Sequence, residues 1–376
     1  MSSTHMPYEA QPRSGAPIQV SWAGNPWSLA GICLLNILLI VVTLGIYWFW
    51  ARSEYRRRMW QMVRVNGEPL EYTGTGWELF VGYLKVFFFI MLPAIAIVVA
   101  AQLVLGPKNP LLVVPMLALY IGFIVLFFVG VYRANRYILT RTRWRGISLG
   151  LGEGALGYAW LSIWSALVTG LTLGWLYPWR ATALRRRLTN AMRFGSLPFR
   201  FEGSSGPLYG PFVLVWLVII FGYACMGAIF AMVMHGAMKS SGMQTADPEV
   251  LKALAAQYVP VAVTLFLVAV PVALVAMSWF EVRKLNVFAR ATKASGLSAG
   301  LEAHAGSYVW LIVSNMLIMI LSIGILRPVA QARRLKYLVS RFSFTGSANL
   351  NEVLRAREET GTQGAGMEAA FSIEIF

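Results

Sequence analysis

Charged residues are scarce in this chain. Only 13% of its 376 residues are Asp, Glu, Lys or Arg, about half the share in an ordinary soluble domain. That excludes a water-soluble enzyme of usual composition, and equally a disordered chain. Cysteine is nearly missing: Cys33 and Cys225 both sit inside apolar runs, so neither a disulfide framework nor a thiolate metal site is expected. The three histidines, His5, His235 and His304, lie far apart and match no zinc spacing. Acidic residues number 16 against 32 Lys and Arg, a net charge of +16. No paired carboxylates or nucleophile elbow stand out, and the glycine-rich stretch 150–157 opens an apolar segment rather than a βαβ unit. No catalytic residue, metal or cofactor is therefore expected. A cleaved leader is not expected either, because the first 28 residues carry one Arg and the apolar run that follows is too long.

Apolar sequence is what the chain has instead. Hydrophobic residues make up 57% of it, and the mean hydropathy is +0.61. Seven segments approach the length that spans hydrocarbon: 27–50, 79–105, 110–132, 155–179, 207–238, 253–280 and 303–326. Lys85 is the one charge inside them. It lies near its segment's start, where it can snorkel to the interface. Pro93, Pro115, Pro211, Pro260 and Pro271 fall within them, as bilayer helices tolerate.

A repeat runs through these segments. The first ends Thr43-Leu44-Gly45-Ile46-Tyr47-Trp48-Phe49-Trp50 and is followed by Arg56, Arg57 and Arg58. The fourth ends Thr172-Leu173-Gly174-Trp175-Leu176-Tyr177-Pro178-Trp179, followed by Arg185, Arg186 and Arg187, at a constant offset of 129. The seventh ends Ser322-Ile323-Gly324-Ile325-Leu326-Arg327-Pro328, followed by Arg333, Arg334 and Lys336, offset 150 from the second copy. Gly45, Gly174 and Gly324 are suited to positive φ and a helix end. Pro178 and Pro328 forbid simple continuation; Phe49 at the matching place predicts a softer break in the first copy. Tyr72-Thr73-Gly74, Phe201-Glu202-Gly203 and Phe344-Thr345-Gly346 follow the copies. Residues 63–72 read as a hairpin on an Asn66-Gly67 turn, and 193–201 and 137–149 read similarly.

Charge decides how these segments are expected to lie. Seven full spans give a poor inside–outside bias of Lys and Arg. If the three repeated segments enter and leave on one side, 28 of the 32 basic residues share that side and 3 face away, a strong bias by the positive-inside rule. The expected fold is thus an α-helical multi-pass membrane protein. It has four full spans, three repeated re-entrant or bent hairpins, and short cytoplasmic strands flanking the repeats. Seven ordinary spans remain the alternative. The expected domain order is a disordered N-tail at 1–17, one membrane domain at 18–354 with copies near 18–132, 133–280 and 281–354, and a C-terminal tail at 355–376. Both termini are expected in the cytoplasm.

Two sets of residues are candidates for function. Asn36/Thr43, Ser165/Thr172 and Asn315/Ser322 repeat as a polar stripe, seven residues apart on one helical face. They suit either a small-solute path, as at the broken helices of transporters, or interhelical hydrogen bonds that hold the repeats together. The basic clusters Arg56–Arg57–Arg58, Arg185–Arg186–Arg187 and Arg333–Arg334–Lys336 suit anionic lipid headgroups or a partner. They suit topology-setting charge equally well. Nucleic acid is not an expected partner, since no soluble basic module with aromatic platforms is present. Association into an oligomer stays open.

Residues 18–84 resemble the YjgN family of bacterial inner-membrane proteins, also called domain of unknown function 898. The likeness rests on Asn36-Ile37-Leu38-Leu39, Thr43-Leu44-Gly45-Ile46-Tyr47, Trp50-Ala51, Arg56-Arg57-Arg58, Val65-Asn66-Gly67 and Tyr72-Thr73-Gly74-Thr75-Gly76. The usual Pro before that Trp is Phe49 here. The resemblance implies a multi-pass inner-membrane protein. It implies no reaction, and it supplies no catalytic residue.

Overall fold

A computed structural model describes residues 18–106, 108–241, 248–294 and 296–346; the expected tails at 1–17 and 355–376 lie outside the described residues. Four helical stretches are long and apolar enough to cross a membrane: Gly76–Leu105, Pro110–Thr140, Gly206–Gly236 and Ala256–Arg290. At about 1.5 Å per residue, each exceeds the roughly 30 Å of hydrocarbon. Few residues of these apolar stretches are buried within the protein, as suits helices that face lipid. The first consists of α3 (Gly76–Val86), a π-helical turn (Phe87–Met91) and α4 (Leu92–Leu105). The second contains α5 (Val113–Thr140). The others belong to α8 (Gly206–Ser241) and α9 (Pro248–Arg290).

The three repeated segments are shorter and broken. Each is an apolar helix, a five-residue turn and a basic helix. These pairs are α1 (Ala30–Val42) with α2 (Trp48–Gln61), α6 (Ala155–Leu171) with α7 (Tyr177–Ala191), and α10 (Ala305–Leu321) with α11 (Arg327–Val339). Both residues at the heart of each turn are left-handed: Leu44 and Gly45 at φ 51° and 93°, Leu173 and Gly174 at 49° and 87°, Ile323 and Gly324 at 50° and 80°. The glycine N–H then reaches back five residues, to Ile40 O (2.7 Å), Thr169 O (2.8 Å) and Met319 O (2.8 Å). This is the long bond of a Schellman-type helix end. The first copy breaks as sharply as the others, so Phe49 does not soften it. The break is made by the Leu-Gly or Ile-Gly pair, and proline merely starts the next helix, where Pro178 and Pro328 sit in the first turn, buried.

Strands bracket every hairpin. β1 (Val20–Trp22) precedes the first, and β2 (Val63–Val65), β3 (Glu68–Pro69) and β4 (Glu71–Tyr72) follow it. β5 (Thr142–Trp144) and β6 (Ile147–Leu151) precede the second, and β7 (Met192–Phe194) and β8 (Leu197–Phe201) follow it. β9 (Thr292–Ala294) and β10 (Leu297–Leu301) precede the third, and β11 (Phe342–Thr345) follows it. The strands entering and leaving each hairpin pair with each other in antiparallel register: Val20 opposite Val65, Leu149 opposite Phe194, Ala299 opposite Phe344. β4 to β11 form one antiparallel meander in chain order. Across Leu70 the chain passes from pairing with β2 to pairing with β5. Asn66-Gly67 and Arg145-Gly146 turn two of the strand pairs with both φ values positive, the geometry that suits strand twist. The hairpin expected over 137–149 begins later, because α5 continues to Thr140. There the Thr140 and Thr142 hydroxyls donate back to the carbonyls of Arg136 and Ile138.

The last strand of the meander meets the first sheet. β11 lies against β1, and α11 packs on the start of the first hairpin. Val329 and Ala332 are fully buried there with Leu29, Cys33 and Met59. The sequence of copies thus closes on itself, and the strands gather at the end of the spans where α3 and α8 begin and α5 and α9 finish.

Left-handed backbone costs an L-residue roughly 1–2 kcal/mol. Gly174→Ala is expected to lower stability by about 1 kcal/mol in a thermal melt of detergent-solubilised protein. Gly150→Ala, on a strand where a Cβ meets nothing within 4 Å, should leave the melt unchanged or raise it slightly.

Candidate functional site: helix breaks and basic helices

The polar stripe divides into two jobs. Thr43, Thr172 and Ser322 bridge the break. Each hydroxyl donates to the carbonyl four residues back, at Leu39 (2.7 Å), Val168 (3.0 Å) and Ile318 (2.6 Å). Each also accepts from the N–H four residues on, at Tyr47 (2.9 Å), Leu176 (3.4 Å) and Leu326 (3.2 Å). One oxygen thereby adds a second bond to a carbonyl that already accepts the same residue's N–H and satisfies an orphan donor at the start of the second helix.

Asn36, Ser165 and Asn315 hold the two helices of a hairpin together or stay within one helix. Asn36 is fully buried and its Nδ2 donates to Glu54 Oε2 at 3.3 Å; its Oδ1 has no hydrogen-bond partner. Asn315 Oδ1 accepts from Arg333 Nη1 at 2.8 Å, and its Nδ2 donates to Ala330 O at 3.2 Å. Arg333 Nη2 also donates to Ser314 Oγ at 2.9 Å. Ser165 is buried and donates to Ser162 O. Glu54, Ala183 and Arg333 are the same position in the three copies, eighteen residues after Asn36, Ser165 and Asn315. The offset of the repeat predicts this alignment once it is extended to the second helix. It shows that Arg333 is not the counterpart of Arg185. Leu335, Lys336 and Tyr337 stand where Arg185, Arg186 and Arg187 do.

The basic clusters are only partly free. Arg56 bonds the Tyr72 hydroxyl (3.4 Å) and lies over its ring. Arg58 pairs with Glu54 at 3.1 Å. Arg186 donates to Gly203 O at 2.7 Å, which ties α7 to the aromatic-x-Gly step. Arg187 lies over Gly157, where a Cβ would come within 2.7 Å of its Nη2. That is the use of one glycine in the 150–157 stretch. Arg57, Arg185, Arg334 and Lys336 are exposed. Lys85, in the last turn of α3, is exposed as well.

Burial in the packed seam between copies pushes the Tyr55 phenol up to about 12. On the sheet, Arg145 grips Glu68 with two bonds of 2.7 and 2.8 Å, and this hydrogen bonding lowers the carboxyl's pKa. A depressed carboxyl pKa stabilises the fold above its unfolded value, and that contribution disappears as pH falls through the folded value. The pair is solvent-exposed, so Glu68→Gln is expected to cost under about 1 kcal/mol at neutral pH and nothing in strong acid.

The Asn315–Arg333 contact is the stronger test. A double-mutant cycle with Asn315→Ala and Arg333→Ala, read by thermal unfolding, should give a coupling of about 0.5–3 kcal/mol. A coupling near zero would separate the two residues.

Comparison with known proteins places this arrangement. The sequence model of a family described as a bacterial protein of unknown function, DUF898, matches residues 17–370. The inner membrane protein YjgN of Salmonella typhimurium is 45% identical over 56 residues, 15% of this chain and 14% of that protein. The inner membrane protein YjgN of Escherichia coli is 27% identical over 146 residues, 39% of this chain and 34% of that protein. The chain therefore matches about a third or less of the length of these relatives. No solved structure matches it. With a family model that runs almost from end to end, and with four helices fit to cross a bilayer, the chain belongs to the DUF898 family, whose curated relatives are inner membrane proteins.

Proposed function

We propose that this protein works against lipid, as a non-enzymatic membrane protein with three hairpins set into one leaflet. In this reading the strands, the basic helices and both termini lie on the cytoplasmic side, and the apolar helices α1, α6 and α10 dip in and return. The observation that carries it is the pairing of the strands around each hairpin. A chain that leaves β6 and comes back to its hydrogen-bonded neighbour β7 ends where it began. Length agrees, because α6 and α10 have 17 residues each, about 25 Å of helix, short of the roughly 30 Å core.

The tips support the same reading. Leu44, Leu173 and Ile323 are 95%, 69% and 92% exposed. A large apolar side chain in strained, exposed backbone gains nothing from water, whereas acyl chains accept it. Beyond each tip the chain continues into a helix rich in arginine, suited to the headgroup layer. The stripe side chains that a solute path would use are largely engaged within their own hairpins, which favours lipid contact over transport.

The test is a single cysteine at each tip, Leu44→Cys, Leu173→Cys or Ile323→Cys, with Cys33 and Cys225 replaced by Ser. In inside-out and right-side-out vesicles the tips should resist a charged maleimide from both faces. A fluorophore attached there should be quenched by lipids brominated along their chains. Labelling from the outer face would contradict the reading.

A further inference from the structure

The two pairs of spans are related by the same offsets as the hairpins. α3–α4 corresponds to α8 at 129, and α5 to the second half of α9 at 150. The register is confirmed by Thr142 and Thr292, which make the same 2.8 Å bond to the carbonyl four residues back. Yet the pairs pack differently. α8 and α9 lie together along their lengths, while the first pair meets mainly at its far end, through α4 and α5.

One position explains much of the difference. Phe280 of α9 packs between α8 and the second hairpin, its ring 5.2 Å from Phe212 and 5.8 Å from Tyr177. Lys284 lies over the rings of Tyr177 and Phe280. The corresponding residues of α5 are Gly130 and Ala134. A Cβ at Gly130 or at Gly82 opposite would meet nothing within 4 Å. What remains is a groove of about 1080 Å³ between α3–α4 and α5. Its wall runs from Leu79 through the π-helical turn to Met91, about 18 Å of helix. That is close to half the thickness of the hydrocarbon, or one leaflet.

The mouth of the groove is basic. Arg52, Arg56 and Arg133 line it, and none of the three has a carboxylate within ion-pair distance among the described residues. The one carboxylate there, Glu78, is held by Arg141 and the Tyr137 hydroxyl, both at 2.8 Å. Beside α8 and α9 a cavity of about 910 Å³ remains, walled in part by Leu173 and Tyr177 of the second hairpin and carrying Glu281 but no arginine.

We propose that the groove between α3–α4 and α5 binds one anionic phospholipid, with its phosphate at Arg52, Arg56 and Arg133 and an acyl chain along the wall down to the π-helical turn. Charge complementarity selects the occupant: a chain one leaflet long joined to an anion, at the depth where headgroups lie. Arginine offers forked donors to phosphate oxygens. The site deepens the lipid-facing reading above, but it needs only that the arginine end of the first two spans meets a headgroup layer. It does not depend on how the hairpins lie.

The experiment is native mass spectrometry of the full chain, delipidated in detergent and then given phosphatidylglycerol or phosphatidylcholine with identical chains. Wild type should retain one phosphatidylglycerol and prefer it by at least about tenfold, the equivalent of 1.4 kcal/mol. Gly130→Phe copies the residue of the second pair and should lose the bound lipid while its circular dichroism melt stays cooperative. The triple variant Arg52→Gln, Arg56→Gln, Arg133→Gln should bind both lipids alike. Equal binding of the two lipids by wild type, wild-type occupancy in Gly130→Phe, or a retained preference in the triple variant would overturn the proposal. The tip-cysteine labelling is untouched by any of these results, so failure of the groove and failure of the hairpin reading are told apart.

Discussion

A helix that stops leaves four N–H and four C=O groups without a partner inside the helix, and each would cost several kcal/mol if left unmet in hydrocarbon. The architecture depends on how that demand is met three times over. The left-handed pair at each tip turns the glycine N–H back into the last helical turn. The Thr or Ser hydroxyl just before it serves one group from each side of the break. With the backbone so satisfied, an apolar helix can end short, reverse, and hand the chain to a basic helix without any other protein covering the tip. Leu44 and Ile323 are almost wholly exposed in consequence.

From that turn the rest follows in order. The reversal returns each chain to its starting strand, so entering and leaving strands pair. The strands of the second and third copies add, with β4, into one meander, and its last strand arrives beside β1 of the first copy's sheet. Four long helices then serve to connect one copy to the next. Their packing is free to differ, which is where the copies diverge. Phe280 packs between α8 and the second hairpin beside a cavity without arginine, and Gly130 leaves the first pair open beneath three arginines.

Much of this was legible in the sequence, and particular residues show why. Constant offsets between Gly45, Gly174 and Gly324 marked the breaks, since few residues other than glycine accept positive φ. The one-sided clustering of Lys and Arg suggested which segments end on the same side. Other features were hidden because they are long-range or local exceptions. Leucine and isoleucine in left-handed backbone contradict their own preferences, and nothing in Leu44 or Ile323 advertises it. The pairing of Asn315 with Arg333 needed the hairpin to be folded at a known angle, and reading Arg333 as one of a basic run obscured it. The hairpin expected over 137–149 starts later because α5 runs on to Thr140 before the strand begins. The groove depends on the absence of a side chain at Gly130, visible only when the two span pairs are laid over each other.

The central claim is that the repeated hairpins begin and end on one face of the membrane. A topology map with reporters fused after residues 24, 66, 200, 300 and 345 tests it directly. The account predicts a cytoplasmic signal from all five. Outside signals from the fusions at 200 and 300 would contradict it and restore seven ordinary spans.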